Sequence, residues 1–99
     1  MRPIHLAELD KVRPLLVLTR ERVRPYLRRV TVAPITSRVR GLSTEVPVDH
    51  RNGLEQQSVV SCDDITTVPK TALRRLLGYL LPEQELELSD AIHNAFELR

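Results

Sequence analysis

The chain reads as one small, mainly β domain, residues 1–99, closed by a C-terminal helix. Three observations predict this. β-Branched residues collect in short runs, Val30–Ile35, Ser43–Val48 and Ser58–Cys62, set apart by polar and turn-forming stretches. The unbroken apolar run Pro14–Thr19 is short, as a buried strand is. The last stretch, Pro82–Leu98, changes to helical spacing.

The elements follow in order. Ile4–Leu9 is a first strand, and Pro14–Thr19 a second, joined by a tight hairpin at Asp10–Val12. Arg20–Arg29, interrupted by Pro25, reads as an exposed loop or a single helical turn. Val30–Ile35 is the third strand. Pro34 cannot donate a ladder hydrogen bond, so it is expected at an edge or bulge, with the strand breaking just before Thr36. A polar loop, Thr36–Arg40, leads on to the strand Ser43–Val48. Asn52-Gly53 is a reversal signal. Ser58–Cys62 follows, with Cys62 a core residue, and Asp63-Asp64 make a turn. Ile65–Val68 is a short strand stopped by Pro69. In Lys70–Leu81, Leu73, Leu76, Leu77 and Leu80 fall at i, i+3, i+4, i+7, which taken alone predicts a helix weakened by Gly78. In the final helix Leu88, Ala91, Ile92, Ala95 and Phe96 form the apolar stripe. Glu83, Glu85 and Glu87 lie near its start, where acids suit the helix dipole.

Composition narrows the function. With 99 residues and 41% apolar content, the chain supports one modest core. No apolar run has the length of a membrane span, and no secretory apolar region is expected at the N-terminus. Cys62 is the only cysteine, so neither an internal disulfide nor a cysteine-based metal site is expected, in keeping with a reducing cytoplasm. The net charge of +2 conceals an asymmetry. Residues 1–40 hold ten Arg/Lys against three acids, and residues 41–99 hold five against ten. A basic half points to a polyanionic or acidic partner. An aromatic content of 3% makes a poor platform for stacking single strands.

No P-loop, glycine-rich nucleotide fingerprint or HExxH sequence is present, and His5, His50 and His93 are too scattered for a histidine-pair nuclease. The loop after the third strand is more informative. Thr36, Ser37, Arg38 and Arg40 place two hydroxyls and two guanidiniums within five residues, a set that grips phosphate oxygens. Arg13 stands at the mouth of the second strand beside the rigid Pro14. If the second and third strands are neighbours, Arg13 and Thr36 converge at one rim, where they can stabilise charge growing on a phosphate. From spacing alone, an ordinary exposed arginine at a strand entry and an ordinary turn threonine explain the pattern better.

Arg13-Pro14-Leu15-Leu16-Val17-Leu18-Thr19, Val32-Ala33-Pro34-Ile35-Thr36-Ser37 and Ser58-Val59-Val60-Ser61-Cys62-Asp63 resemble, in order and spacing, successive motifs of the MazF/PemK toxin family. The resemblance implies a homodimeric SH3-like β-barrel with a C-terminal helix and short helical turns, in which Arg74–Leu81 is a strand. It implies a cytoplasmic toxin–antitoxin endoribonuclease that cuts single-stranded RNA without metal or cofactor and is neutralised by a cognate MazE-like antitoxin. Arg13 and Thr36 match the family's catalytic pair, and Asp63 an aspartate used by the Kid/PemK branch. Pro14, Ser37, Arg38, Arg40 and Ser61 are the expected RNA contacts. The implied chemistry is attack by the substrate's 2′-OH on the adjacent phosphorus, leaving a 2′,3′-cyclic phosphate and a 5′-OH.

Two departures stand out. Ser61 replaces an arginine of the Kid/PemK branch, and the Asp10–Val12 loop is short for the family, which implies a more open groove. The segment Cys62–Pro69 and the final helix also resemble the gyrase poison CcdB. That family acts through a C-terminal Trp-Gly-Ile, whereas this chain has no Trp and ends Glu97-Leu98-Arg99. A non-catalytic basic binding module is the third reading, and needs neither Arg13 nor Thr36.

Overall fold

Seven strands and one α-helix make up the computed structural model, which describes residues 1–98. The strands are β1 (Pro3–Glu8), β2 (Val12–Val17), β3 (Arg29–Thr36), β4 (Glu45–Val48), β5 (Ser58–Ser61), β6 (Thr66–Pro69) and β7 (Leu73–Tyr79). The helix α1 spans Glu85–Phe96, and short 3-10 turns fill several of the connections. All pairings are antiparallel, in the order β4-β5-β3-β2-β1-β7, and β6 pairs the first half of β3. The sheet curls into an SH3-like half-barrel, and α1 lays Leu88 and Ala91 against the core.

The continuous apolar run in β2 has a physical cause. Leu15 and Val17 face one buried cluster, and Leu16 faces another. β3 divides the same way, with Val30 and Val32 in one cluster and Ala33 and Ile35 in the other. A strand buried on both faces has no polar face to show, so its sequence does not alternate. Pro34 sits where the far-side partner of β3 changes. β6 pairs it as far as Val32, and β5 takes over at Ile35. Pro34 therefore lies at an interruption of that ladder, and the strand runs on through Thr36 instead of stopping before it.

The stretch with helical spacing is the strand β7, as the resemblance implies. Its pairing with β1 contains two register shifts, between Ile4 and His5 and between His5 and Ala7. Such irregularities break the two-residue alternation of a strand. They leave Leu73 on one cluster and Leu77 on the other, with Leu76 exposed, and so mimic a helical period. Pro82–Gln84 forms a 3-10 turn ahead of α1. Phe96 leaves the expected stripe: Leu88, Ala91, Ile92 and Ala95 already fill the buried face, and Phe96 is 55% exposed.

Asn52-Gly53 marks a reversal, but not a two-residue turn. Asp49 caps a 3-10 turn over His50–Asn52, and Gly53 follows at φ 84°. Asn52 is fully buried and pairs with buried Gln84. The Asn52 amide donates to Tyr79 O at 2.9 Å and to Gln84 Oε1 at 2.7 Å. Its oxygen accepts from Asp49 N and from Gln84 Nε2, which also donates to Pro47 O. Leu81 N donates to Gln84 Oε1. Every polar atom of the pair is satisfied, so the buried amides tie α1 to the β4–β5 connection. Cys62 is buried as expected, and burial, aided by the charge of neighbouring Asp63, raises its thiol pKa to about 11.

Candidate active site

A groove of about 570 Å³ opens at the end of the half-barrel where β2 begins and β3 ends. Leu15 lies across from Pro34 in the β2–β3 ladder, and extending that register by two residues sets Arg13 across from Thr36. Both line the groove. Arg13 is half-buried and makes no ion pair among the described residues. Thr36 Oγ1 accepts from Arg38 N at 3.1 Å, which leaves its hydroxyl proton free to donate.

Pro14 and Ser37 also line the groove. Arg38, Arg40, Ser61 and Asp63 do not. The 36–40 loop divides after Ser37, for a clear reason. The Glu45 carboxylate accepts from three successive backbone amides, Arg40 N, Gly41 N and Leu42 N, at 3.2, 2.9 and 3.1 Å. This is an anion-binding nest filled from within the chain. It folds the loop back on β4 and leaves the Arg38 and Arg40 side chains exposed. Asp63 lies beyond the far end of β5, where its Oδ2 accepts from Thr44 Oγ1 at 2.6 Å. Ser61 Oγ donates to Asp64 Oδ2 at 2.9 Å.

Four further groups enter the groove: Lys11 from the β1–β2 turn, Arg75 from β7, and Glu55 and Gln56 from the β4–β5 connection. Arg75 has a signal in the sequence once its segment is read as a strand. Glu55 and Gln56 lie on a connection whose course depends on the Gly53 turn, and Lys11 lies on the tight turn between β1 and β2. Lys11, Arg13 and Arg75 make the groove cationic, and Glu55 is its only carboxylate among the described residues. None of the three histidines lines it. His5 Nδ1 bonds Arg74 O and His93 Nδ1 bonds Ser89 O.

Known proteins share both fold and sequence. Endoribonuclease MazF3 of Mycobacterium tuberculosis is 65% identical over 98 residues, covering 99% of this chain and 95% of the relative. A solved structure of the Mycobacterium tuberculosis toxin MazF-mt6 superposes with a TM-score of 0.96 at 64% identity, over 99% of both chains. An endoribonuclease in complex with its cognate antitoxin, from a mycobacterial species, shares the fold at TM-score 0.87 and 21% identity, over 98% of this chain and 93% of its own. The class is thus the endoribonuclease toxins of SH3-like barrel fold. The model for PemK-like, MazF-like toxins of type II toxin–antitoxin systems matches residues 3–96, and the chain belongs to that family.

Proposed function

We propose that this endoribonuclease toxin cuts single-stranded RNA by in-line attack of the substrate's own 2′-OH, with Arg13 and Thr36 at the scissile phosphate. The observation that carries the reading is the convergence of these two side chains from adjacent strand ends in one cationic groove. The 2′ oxygen bonds to phosphorus and the 5′ oxygen leaves. Glu55 takes the 2′-OH proton. Arg13 holds the charge building on the phosphorane and protonates the leaving oxygen, while Thr36 donates to a non-bridging oxygen. The products are a 2′,3′-cyclic phosphate and a 5′-OH. Lys11, Arg13 and Arg75 supply positive charge at the groove where a metal ion would otherwise neutralise the phosphate, which favours a metal-independent reaction. Pro14 and Ser37 contact RNA within the groove, and Arg38, Arg40 and Ser61 meet RNA that runs past its rim. We assign Asp63 the tether to Thr44 in place of a catalytic part. The test is cleavage of single-stranded RNA in EDTA with analysis of the ends. Products with 5′-OH are expected, whereas strict Mg²⁺ dependence or 5′-phosphate ends would reject the mechanism.

The chain acts as one toxin domain, and as a homodimer. Leu76, Tyr79 and Phe96 are all exposed, on β7 at the end of the sheet and on α1, and oligomerisation covers such surface in a protein with a small core. Sedimentation is expected to give a dimer at micromolar concentration; a stable monomer there contradicts it. No helix among the described residues is long and apolar enough to cross a membrane. We place the protein in the cytoplasm with its RNA.

The cognate antitoxin inhibits by occupying the groove. An acidic, apolar-studded tail that is disordered until bound matches its cations, and complementary charge speeds capture. In a titration of the tail peptide against non-cleavable RNA, each is expected to displace the other. Simultaneous binding with unchanged affinities would refute a shared groove.

A further inference from the structure

The arginines of the basic half do not all reach the groove. β2 leads away from it, and β3 returns to it, so the connection between them lies at the opposite end of the sheet. β3 runs eight residues from Arg29 to Thr36, a span of roughly 23 Å. That connection, with the first residue of β3, carries Arg20, Arg22, Arg24, Arg28 and Arg29 against the single acid Glu21. Glu21 is engaged by the N-terminal amine and by Arg24. Arg20, Arg22, Arg28 and Arg29 are exposed and unpaired among the described residues.

Tyr26 sits among them and is 85% exposed, more than any other large apolar side chain among the described residues. The chain has only three aromatic residues, and leaves this one in water. The segment under it is held in place. Pro25 sets the start of the 3-10 turn Arg24–Tyr26, and Tyr26 N donates to Val23 O at 3.0 Å. Lys70 N and Nζ donate to Arg28 O and Arg24 O, both at 2.9 Å. An exposed ring on a turn held by backbone hydrogen bonds, with exposed guanidiniums on residues close by in the chain, suits stacked bases and phosphates together, and arginine favours both kinds of contact.

We propose that the Arg20–Arg29 connection is a second RNA-binding site, which holds the substrate at a distance from the cut by stacking a base on Tyr26 and pairing phosphates with Arg22, Arg28 and Arg29. The proposal rests on the ribonuclease reading of the groove. It makes the protein sensitive to the length of its RNA: a strand confined to the groove misses the second site, and a longer one reaches both.

The experiment compares two RNAs blocked by a 2′-O-methyl group at a position the wild-type protein cuts. One has about 6 nucleotides and the other about 25, bracketing the site sizes usual for single-strand binders. Binding is read by fluorescence anisotropy across a salt series, and cutting of the unblocked short RNA is read in parallel. Tyr26→Ala is expected to weaken binding of the long RNA about tenfold, as loss of one stacked base does, and to leave the short RNA unaffected. The Arg22→Ala/Arg28→Ala/Arg29→Ala variant is expected to lower the salt slope for the long RNA by about 2, at roughly 0.7 per phosphate contact. Tyr26→Trp, which keeps a stacking face, should bind the long RNA at least as well as wild type. Unchanged long-RNA binding in both variants overturns the proposal. So does an equal loss on both RNAs, a change of oligomeric state in Tyr26→Ala, or a loss confined to binding of an acidic antitoxin peptide. Failure of wild-type protein to cut the short RNA is a separate outcome, and counts against the groove reading instead.

Discussion

Arg13→Ala is expected to cut RNA about 100-fold more slowly than wild type or worse, with a melting temperature close to wild type. The loss is that of one donor aimed at charge that develops only in the transition state. The fold survives because Arg13 has no ion-pair partner among the described residues, so its removal strands no buried carboxylate. Arg13→Lys should also fail, because a point charge cannot present the planar fork that meets two phosphate oxygens. Thr36→Ala should lose rate, and Thr36→Ser should recover much of it by restoring the hydroxyl. Glu55→Gln should slow cutting, whereas Asp63→Asn should leave the rate near normal. Initial rates on a fluorescent oligonucleotide, with thermal melts beside them, check the series. A wild-type rate for Arg13→Ala would sink the assignment, and a wild-type rate for Glu55→Gln would remove Glu55 from proton transfer.

Gly53→Ala is expected to unfold the protein or come close to it. A Cβ at Gly53 would lie 1.9 Å from Leu77 O, and one at Gly78 would lie 2.3 Å from Asn52 O. The two glycines mark one place where the 52–53 backbone presses on β7, and neither backbone can yield without breaking its own bonds. Gly53 also holds φ at 84°, which costs an alanine about 1–2 kcal/mol before any clash. Each kcal/mol lowers the melting temperature of so small a domain by about 4–8 °C, so a drop well beyond 10 °C is expected. Gly41 is the control. Its φ is 76°, but a Cβ there meets nothing within 4 Å, so Gly41→Ala carries the strain without the collision. Equal melting temperatures for Gly41→Ala and Gly53→Ala would mean that the close approach is not what the glycine serves.

Much of this molecule could be read from the order of its residues. Val30–Ile35 and Pro14–Thr19 declared themselves as strands because both faces of each are buried, which demands an apolar side chain at nearly every position. The meeting of Arg13 with Thr36 needed only that β2 and β3 be neighbours. Where the reading turned on register, it lost its footing. β7 resembled a helix because two irregularities in its pairing with β1 altered which residues face inward, and no local propensity records them. The loop arginines Arg38 and Arg40 look like partners of Thr36 along the chain, but Glu45, several residues further on, claims the backbone amides of Arg40, Gly41 and Leu42 and folds the loop back on β4. Glu55 and Gln56 offered no pattern at all. They line the groove because Gly53, in its left-handed conformation, fits against β7 and sends the following residues across the opening.

Cys62 bears on how such a protein can be restrained. Oxidants and electrophiles attack thiolates that solvent can reach. Here the thiol is in the core, protonated at any physiological pH with its pKa near 11, and has no second cysteine in the chain to join in a disulfide. Peroxide, disulfide stress and thiol-blocking metabolites therefore find no purchase on the folded chain. Restraint through Cys62 would first require the core to open, whereas a partner that sits on the surface needs no such opening.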